Sequence, residues 1–401
     1  MIKYVILFAI AVLVLTGCAR PPQMVWRHIS TANGELDTPW QNTQQTSSAV
    51  FDVDMDGIND FIITERTGAP SVVWYRRVNN DWDRYVIDDS ALHIEAGSAV
   101  DDVDGDGDPD VVFGGDSQSN NIWWWENPYP DYDPSIPWQR HIIKNSGATK
   151  HHDQIFGDFN GDGVTELVFW NQNDRTLYLA EKPGNVKANV EWPRYPIYSY
   201  ETKNTPEQRG VYPAWKTLFE HEGLCAVDMN HDGVHDIVGG GHWFEYVQDH
   251  TFTPHPIDDH YTFSRCTAGQ LIPGGYPEVV LVVGDGRAPL VLYQWEDSAW
   301  TEHVLIDSVQ DGHSLDIGDF DGDGYLDIFN AEMQLGDFSG AKIRILYGDG
   351  TGHFTETVVD SGYGLHESRI ADLDGDGDFD ILGKPYNWKT PRLDIWLNET
   401  P

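Results

Sequence analysis

The sequence predicts an all-β fold built from a repeat of about 50 residues. Three observations lead to this prediction. An acidic nine-residue pattern occurs six times, a run of β-favouring residues follows each copy, and an aromatic signature recurs between the copies. The 39 glycines and 22 prolines, with 12% aromatic residues, fit many short strands joined by turns.

The acidic pattern places an oxygen-bearing side chain at positions 1, 3, 5 and 9 and a glycine at position 6, as in DLDGDGDFD at 372–380. Alternate carboxylates around a sharp turn can converge on one cation, and this oxygen spacing suits Ca²⁺. The alternative is a solvated acidic turn without metal. We expect up to six structural Ca²⁺ ions. The predicted ligands are Asp52, Asp54, Asp56, Asp60, Asp102, Asp104, Asp106, Asp110, Asp158, Asn160, Asp162, Glu166, Asp228, Asn230, Asp232, Asp236, Asp319, Asp321, Asp323, Asp327, Asp372, Asp374, Asp376 and Asp380.

Each acidic loop lies within a unit of four predicted strands. One strand precedes the loop, and a β-rich run such as ELVFWN (166–171) follows it. A second apolar run comes next, such as KIRILYG (342–348), and then the aromatic signature, such as WQRHII (138–143). Four short strands per unit is the pattern of a β-propeller blade.

Two further features set the number of blades at seven. Residues 266–282 align without gaps on 315–331, but Gln270, Ile272 and Gly274 replace the first three acidic ligands, which predicts a seventh, metal-free blade. The signature also occurs at the start of the chain as WRHI, whereas the last blade lacks it. We therefore predict that residues 25–30 complete the last blade and that residues 25–401 form a closed seven-bladed β-propeller.

The N-terminus reads as a targeting segment. Residues 1–18 contain an apolar run too short for a comfortable membrane span, and Leu15–Cys18 (LTGC) resembles a bacterial lipobox. The resemblance implies that Cys18 is lipidated, that Ala19 directs the lipoprotein to the outer membrane, and that residues 19–24 form a tether. An ordinary signal peptide cut elsewhere is the alternative. The formal charge of −40 makes nucleic acid a poor partner, so we expect membrane contact through the lipid anchor only.

The repeats resemble the FG-GAP/VCBS family of seven-bladed calcium propellers over nearly all of residues 25–398. The resemblance implies the fold and the calcium loops. It does not imply one activity, because such blades serve adhesion molecules and enzymes alike.

The acidic loops all join the first and second strands of their blades, so they lie at one end of the propeller and leave the other end for a ligand. Counting back six residues from the first loop position gives His152, His313 and His366, and one residue further back gives His151 and His221. We expect these histidines to ring the mouth of the central channel. The alternative is a repeat-consensus histidine that bonds a neighbouring blade.

The turns between the second and third strands, and one long connection, offer further ligand-binding groups. Their side chains can hydrogen-bond, ion-pair with or stack on a sugar. Trp243 alternatively fills a gap between blades. The turn candidates are Asn171, His242, Trp243, Arg287, Glu332, Lys384, Tyr386 and Trp388. The connection 198–220 reads as a lid or subsite wall, and its candidates are Tyr198, Tyr200, Arg209, Tyr212 and Trp215.

Cys225 and Cys266 fall on facing sides of the inner strands of blades four and five, by the alternation of side chains along a strand. Three interpretations stay open for this pair: a disulfide, two buried thiols, or a Zn²⁺ site that joins one cysteine to the histidines.

The residue types at the histidine end suit proton abstraction next to a carbonyl or carboxylate, followed by loss of a β-leaving group. No Ser-His-Asp motif, phosphate-binding loop, dinucleotide fingerprint or HExxH appears. Segments such as GHSLDIGDFDGDG and GKPYNWKTPRLDIWLN are similar to bacterial proteins of the aldos-2-ulose dehydratase type, and ulvan lyases are seven-bladed propellers with His/Tyr chemistry.

These resemblances imply a carbon–oxygen lyase on an anionic or keto-sugar, with Zn²⁺ or another divalent metal as a possible funnel cofactor. A non-catalytic glycan- or protein-binding (adhesion) propeller is the alternative. The expected catalytic residues are His152, His313, His366 and Tyr386. The expected substrate-binding residues are His221, Arg265, Arg287, Glu332, Arg369, Lys384, Trp243 and Asn171.

Overall fold

The computed structural model describes residues 24–201, 220–335, 339–386 and 389–400. The strands in these ranges form seven four-stranded antiparallel sheets, which are arranged as blades around an axis. The predicted all-β, seven-bladed β-propeller is therefore confirmed. In the ranges described, no helix is both long enough and apolar enough to cross a membrane.

The strands follow the chain blade by blade, from the axis outward. Blade one contains β2 (Gln45–Phe51), β3 (Asp60–Glu65), β4 (Val72–Val78) and β5 (Asp81–Asp88); blade two contains β6 (Ala99–Asp101), β7 (Asp110–Gly114), β8 (Ile122–Glu126) and β9 (Gln139–Lys144); blade three contains β10 (His151–Gly157), β11 (Glu166–Asn171), β12 (Thr176–Ala180) and β13 (Arg194–Ser199); blade four contains β14 (Cys225–Val227), β15 (Asp236–Gly239), β16 (His242–Gln248) and β17 (Thr251–Pro256). Blade five contains β18 (Ser264–Gly269), β19 (Glu278–Val283), β20 (Arg287–Glu296) and β21 (Ala299–Gln310); blade six contains β22 (Ser314–Gly318), β23 (Asp327–Ala331), β24 (Lys342–Gly348) and β25 (Phe354–Ser361); blade seven contains β26 (Arg369–Ala371), β27 (Asp380–Gly383), β28 (Asp394–Asn398) and β1 (Trp26–Ser30). Short 3₁₀ turns span Thr31–Asn33 and Val186–Ala188.

Blade seven is closed by the first strand of the chain, as the sequence predicts. Strand β1 pairs antiparallel with β28, with Trp26 opposite Asn398 and Ser30 opposite Asp394. The two ends of the chain therefore hold the ring together through one shared sheet. Blade five, predicted without acidic ligands, has the same four-stranded order as the others.

The core consists of seven clusters of buried apolar side chains, one in each interface between neighbouring blades. Second strands such as β11 are buried along their whole length because both faces of each sheet pack on a neighbour. Trp124, Trp170 and Trp396 each fill a different interface and are at most 1% exposed. Truncation of such a side chain to alanine costs about 3–5 kcal/mol of stability, so this packing fixes the positions of the strand ends.

Candidate functional site

The acidic loops gather their carboxylates as the calcium prediction requires. In blade one, oxygens of Asp52, Asp54 and Asp56 lie within 4.8 Å of one another. The turn depends on glycine at position 6, where Gly57 has a φ of 97°. Among the residues that the structure describes, the buried oxygens Asp54 Oδ1 and Asp374 Oδ1 have no hydrogen-bond partner, and a bound cation would compensate for this. The residues fit Ca²⁺, and its binding remains a prediction.

Position 9 of the loop has a second role, which the sequence pattern did not reveal. Asp110 accepts hydrogen bonds from the backbone N–H groups of Val103, at 3.0 Å, and Asn127, at 2.8 Å. It thereby ties the loop to the third strand, and burial raises its pKa to about 8. In the blade without acidic ligands, Glu278 still accepts a hydrogen bond from the backbone N–H of Ile272 at 2.9 Å. Position 9 therefore braces the loop independently of metal.

At the opposite end of the propeller, three histidines and a tyrosine come together. The ring centroids of His152 and His313 are 6.2 Å apart, those of His313 and His366 are 4.3 Å apart, and those of His366 and Tyr386 are 5.0 Å apart. The three histidines are at most 5% exposed. The four residues predicted as catalytic thus occupy one cluster, contributed by blades three, six and seven.

Carboxylates that the sequence analysis did not select surround these histidines. His152 Nδ1 lies 2.8 Å from Asp153 Oδ2, and its Nε2 lies 3.3 Å from Glu222 Oε1. His313 Nε2 is 4.0 Å from Glu222 Oε2, and its Nδ1 is 3.7 Å from Glu367 Oε1. Glu222 occupies the same position, six residues before its loop, that the histidines occupy in other blades. Examination of that position for carboxylates as well as histidines would have found it.

Arg265 lies beneath the cluster and is fully engaged by acidic partners. Its Nη2 is 2.7 Å from Asp153 Oδ1 and 3.0 Å from Glu367 Oε1, and its Nη1 donates to Asp153 Oδ2 at 3.0 Å. Arg265 and His152 therefore share one carboxylate oxygen. Although burial opposes ionisation, the guanidinium lowers the pKa of Asp153, and the carboxylates raise the pKa of Arg265.

The histidines differ in their proton affinity. Burial acts to lower the pKa of His152, but the Glu222 and Asp153 carboxylates outweigh it and the pKa is raised. Burial, aided by Arg265, lowers the pKa of His313 to about 4. Burial and the neighbouring His313 lower the pKa of His366 well below its usual range. His313 and His366 are therefore neutral near pH 7 and can accept a proton or bind a metal.

The cluster opens into a polar cavity of about 160 Å³. Arg66 donates a hydrogen bond to the Tyr386 hydroxyl at 2.7 Å, pairs with Glu95, and lies 3.5 Å from Asp116. Burial raises the pKa of Glu222 to about 7. The lining residues are Arg66, Glu95, Lys150, His152, Glu220, Glu222, Phe263, Asp285, His313, Met333, Leu335, His366 and Tyr386.

Three of the lining residues have the arrangement of a metal-ligand set. His152, Glu222 and His313 each offer one ligand atom, and these atoms lie within 4.8 Å of one another. Glu222 Oε2 is buried and has no hydrogen-bond partner in the described part of the chain. Two imidazoles and a carboxylate suit Zn²⁺ and similar divalent transition metals.

The residues predicted to bind substrate lie outside the lining of this cavity, and their role in substrate binding stays a prediction. Lys384 is buried, its Nζ donates to the carbonyls of His366 at 2.7 Å and Thr46 at 3.2 Å, and burial lowers its pKa to about 7. Arg369 pairs with Glu367 at 3.2 Å and lines a second channel cavity of about 200 Å³.

The remaining predicted substrate-binding residues are also committed to structural contacts. Asn171 donates to the Ala148 carbonyl at 3.0 Å, and the Glu332 side chain is 3.1 Å from Arg344 Nη2. The rings of His221 and Tyr200 stack at 3.6 Å, and those of Trp243 and His255 at 4.1 Å. The exposed Arg287 donates to the Gln310 side chain at 3.1 Å. Trp243 packs between blades four and five, as the alternative interpretation of this residue predicts.

Cys225 and Cys266 are free thiols in the interface of blades four and five. Cys266 Sγ donates to the Val238 carbonyl at 3.4 Å, and its hydrogen bond with Cys225 together with burial raises the pKa of Cys225. A disulfide between them stays a prediction. The residues named above that lie outside the part of the chain that the structure describes are Cys18, Ala19, Arg209, Tyr212, Trp215 and Trp388.

Comparison with known proteins agrees with the fold. Residues 102–169 match the model of the FG-GAP-like repeat. The chain is thus a seven-bladed β-propeller that carries an FG-GAP-like repeat. No curated protein matches it.

Similar solved structures include the V. cholerae biofilm matrix protein Bap1, with 11% identity, coverage of 90% of this chain and 89% of that one, and a TM-score of 0.50. Rhamnogalacturonan lyase YesW has 14% identity, coverage of 92% and 75%, and a TM-score of 0.47. YCF48 from Cyanidioschyzon merolae has 12% identity, coverage of 92% and 98%, and a TM-score of 0.47. At these identities the likeness concerns the fold alone.

Proposed function

We propose that the histidine cavity is the active site of an enzyme that acts on a carbohydrate by β-elimination. The observation that carries this proposal is the grouping of two neutral histidines and a tyrosine, His313, His366 and Tyr386, around one polar cavity. β-Elimination needs a base for a proton next to a carbonyl and an acid for the departing oxygen, both at one site.

His366 and Tyr386 have the properties of this base and acid. The neutral His366 imidazole would take the proton from the carbon next to the carbonyl, and the electron pair would form the double bond as the carbon–oxygen bond at the β-carbon breaks. Arg66 donates to the Tyr386 oxygen at 2.7 Å, and the Tyr386 hydroxyl itself donates to Gln44 Oε1 at 3.4 Å. The phenol proton would leave this long hydrogen bond when it is transferred to the departing oxygen. The product would be an unsaturated carbonyl compound.

We further propose that His152, Glu222 and His313 hold a divalent metal, most simply Zn²⁺. When bound, such a metal acts as a Lewis acid on a carbonyl oxygen and stabilises the enolate-like charge. Asp153 and Glu367 lie behind His152 and His313, and carboxylates in this position orient imidazole ligands and increase their basicity.

The charges of the cavity favour a neutral keto-sugar over an anionic one. Among its lining residues, Arg66 pairs with Glu95 and Lys150 pairs with Glu220. Arg265, expected to hold an anionic group, pairs with Asp153 and Glu367. Apart from the proposed metal, a sugar carboxylate would therefore meet only arginine and lysine side chains that are already paired, at a desolvation cost that a ketone does not have.

The test is to incubate the zinc-loaded protein with a neutral keto-sugar, 1,5-anhydrofructose, and with ulvan and pectin as uronate polymers. We expect new ultraviolet absorbance from a conjugated product with the keto-sugar, and at least about a hundredfold loss of rate in His366→Ala and Tyr386→Phe. His303→Ala, an exposed histidine on β21, is the control and should keep the rate. No absorbance with any substrate, with sugar binding retained, would favour the non-catalytic glycan-binding alternative.

We also propose that the six acidic loops bind Ca²⁺ and that the protein is an outer-membrane lipoprotein anchored through Cys18. The clustered loop oxygens support the first proposal, and the lipobox-like sequence before Cys18 supports the second.

A further inference from the structure

A third cavity, outside the central channel and with exposed aromatic walls, lies at the outer edge of the interface between blades four and five. Its volume is about 500 Å³. We call it the Trp295 groove. None of its lining residues lines the histidine cavity. Its lining includes His242, Asp258 and Asp259 from blade four and its connection. Blade five contributes Trp295 and Trp300.

One wall of the groove is formed by a packing position that differs in burial between blades. The aromatic residue of the repeated signature is buried in blades one to four, with exposures of 4% for Trp82, 8% for Trp138, 2% for Trp192 and 6% for Phe252. The corresponding residues of blades five, six and seven are only partly buried: Trp300, Phe354 and Trp26. In blade five this position lines the groove.

Blade five adds further aromatic surface around this position. Trp295, paired across the hairpin with Trp300, is 36% exposed, and the two indoles meet edge to face at 5.2 Å. Tyr276, which occupies position 7 of the metal-free loop, is 38% exposed and packs edge to face against Trp295 at 6.0 Å. The blade that lost its acidic ligands therefore displays an aromatic cluster.

Fixed hydrogen-bonding groups stand beside the aromatic surface. The Tyr293 hydroxyl donates to Asp258 Oδ2 at 2.5 Å, and the His260 backbone N–H donates to Asp258 Oδ1 at 2.8 Å, so this carboxylate is held in one orientation. The indole N–H groups of Trp295 and Trp300 have no hydrogen-bond partner within the described ranges. Aromatic faces combined with oriented carboxylates and free N–H donors match the C–H faces and hydroxyls of a pyranose ring.

We propose that the Trp295 groove binds a neutral polysaccharide, with a pyranose ring stacked on Trp295 and its hydroxyls bonded to Asp258. Asp258 and Asp259 at the groove, on a chain with a net charge of −40, select against anionic polymers. The proposal goes beyond the elimination chemistry and does not depend on it, because binding here needs no group of the histidine cavity.

The test is affinity electrophoresis of the calcium-loaded protein in native gels that contain laminarin, hydroxyethylcellulose or dextran, with alginate as the anionic comparison. We expect at least one neutral polymer to retard the protein and alginate to have no effect. Trp295→Ala should weaken the retarding interaction at least about tenfold without a change in melting temperature, since Trp295 lies at the surface.

Matched variants distinguish binding at this groove from binding at another exposed aromatic side chain or in the histidine cavity. Tyr325→Ala is the control, because Tyr325 holds the position in blade six that Tyr276 holds in blade five and is 40% exposed. It should bind as the wild type does, and so should His366→Ala, which disables only the histidine cavity. The proposal is overturned if no neutral polymer retards the protein, if alginate retards it equally, or if Trp295→Ala binds like the wild type.

Discussion

The two ends of the propeller differ in how faithfully they repeat. At the acidic-loop end, six blades keep the same predicted ligand positions and the same bracing carboxylate. At the histidine end, one position of the repeat changes from blade to blade. In chain order it is Thr46, Ala96, His152, Glu222, Ser264, His313 and His366. Features that repeat in the blades serve the folding of each blade. A position that varies from blade to blade serves the site that the ring forms only once.

The largest expected effect is the removal of calcium from the regular end. Each ion contributes about 2.7 kcal/mol when present at 100 times its Kd, so six sites contribute on the order of 16 kcal/mol. We expect excess EGTA to lower the melting temperature by at least about 10 °C and added Ca²⁺ to restore it, as followed by differential scanning fluorimetry. An unchanged melting temperature in EGTA would contradict the six calcium loops.

The second prediction concerns the buried ion network at the irregular end. Arg265→Met removes the one cation that Asp153 and Glu367 share and leaves them with His152 and Arg369 among their remaining partners. We expect this to cost about 3–5 kcal/mol of unfolding free energy, because both carboxylates are buried. Urea denaturation measures this loss. Arg369→Met is the matched control, because Arg369 also pairs with Glu367 but is 29% exposed, and we expect a cost below about 1 kcal/mol. Equal costs would show that the network does not depend on Arg265.

A smaller effect separates bracing from metal binding within the loops. Glu278→Ala removes the carboxylate that braces the metal-free loop and should cost about 1–3 kcal/mol, equally with and without EGTA. Asp321→Asn, in a predicted calcium loop, should destabilise the protein only while calcium is present. If EGTA abolishes the effect of Glu278→Ala, the fifth loop also depends on metal.

The smallest effect on the fold is expected at the anchor. Cys18→Ser should leave the melting temperature unchanged and move the protein from the membrane fraction to the soluble fraction of cells. Retention of the variant in the membrane fraction, after a salt wash, would contradict lipid anchoring at Cys18.

Most of the fold could be predicted because each blade encodes itself locally. The gapless alignment of 266–282 on 315–331 reveals the fifth blade without its metal ligands, and the early WRHI signature predicts the pairing of β1 with β28. Both inferences need only the order of the four strands in one blade. This order can be read from the sequence because it recurs in each repeat.

The site could be predicted only in part. His152, His313 and His366 could be predicted because they share one position of the repeat, six residues before the acidic loop. The first strands of all blades begin near the axis, so residues at this position come together. Their partners depend on contacts across the axis between distant blades, such as Arg265 with Glu367, and no local pattern records these. The contacts of Lys384 are of the same kind, because carbonyls of two blades accept hydrogen bonds from its ammonium group.

The direction of β1 sets how an anchored propeller would face the bilayer. Trp26 lies opposite Asn398, beside the acidic loop of blade seven, and Ser30 lies toward the other end. The chain therefore enters the propeller at the acidic-loop end. With lipid on Cys18, residues 19–24 would hold that end toward the membrane, and the histidine cavity would open away from the lipid toward substrate arriving from solution.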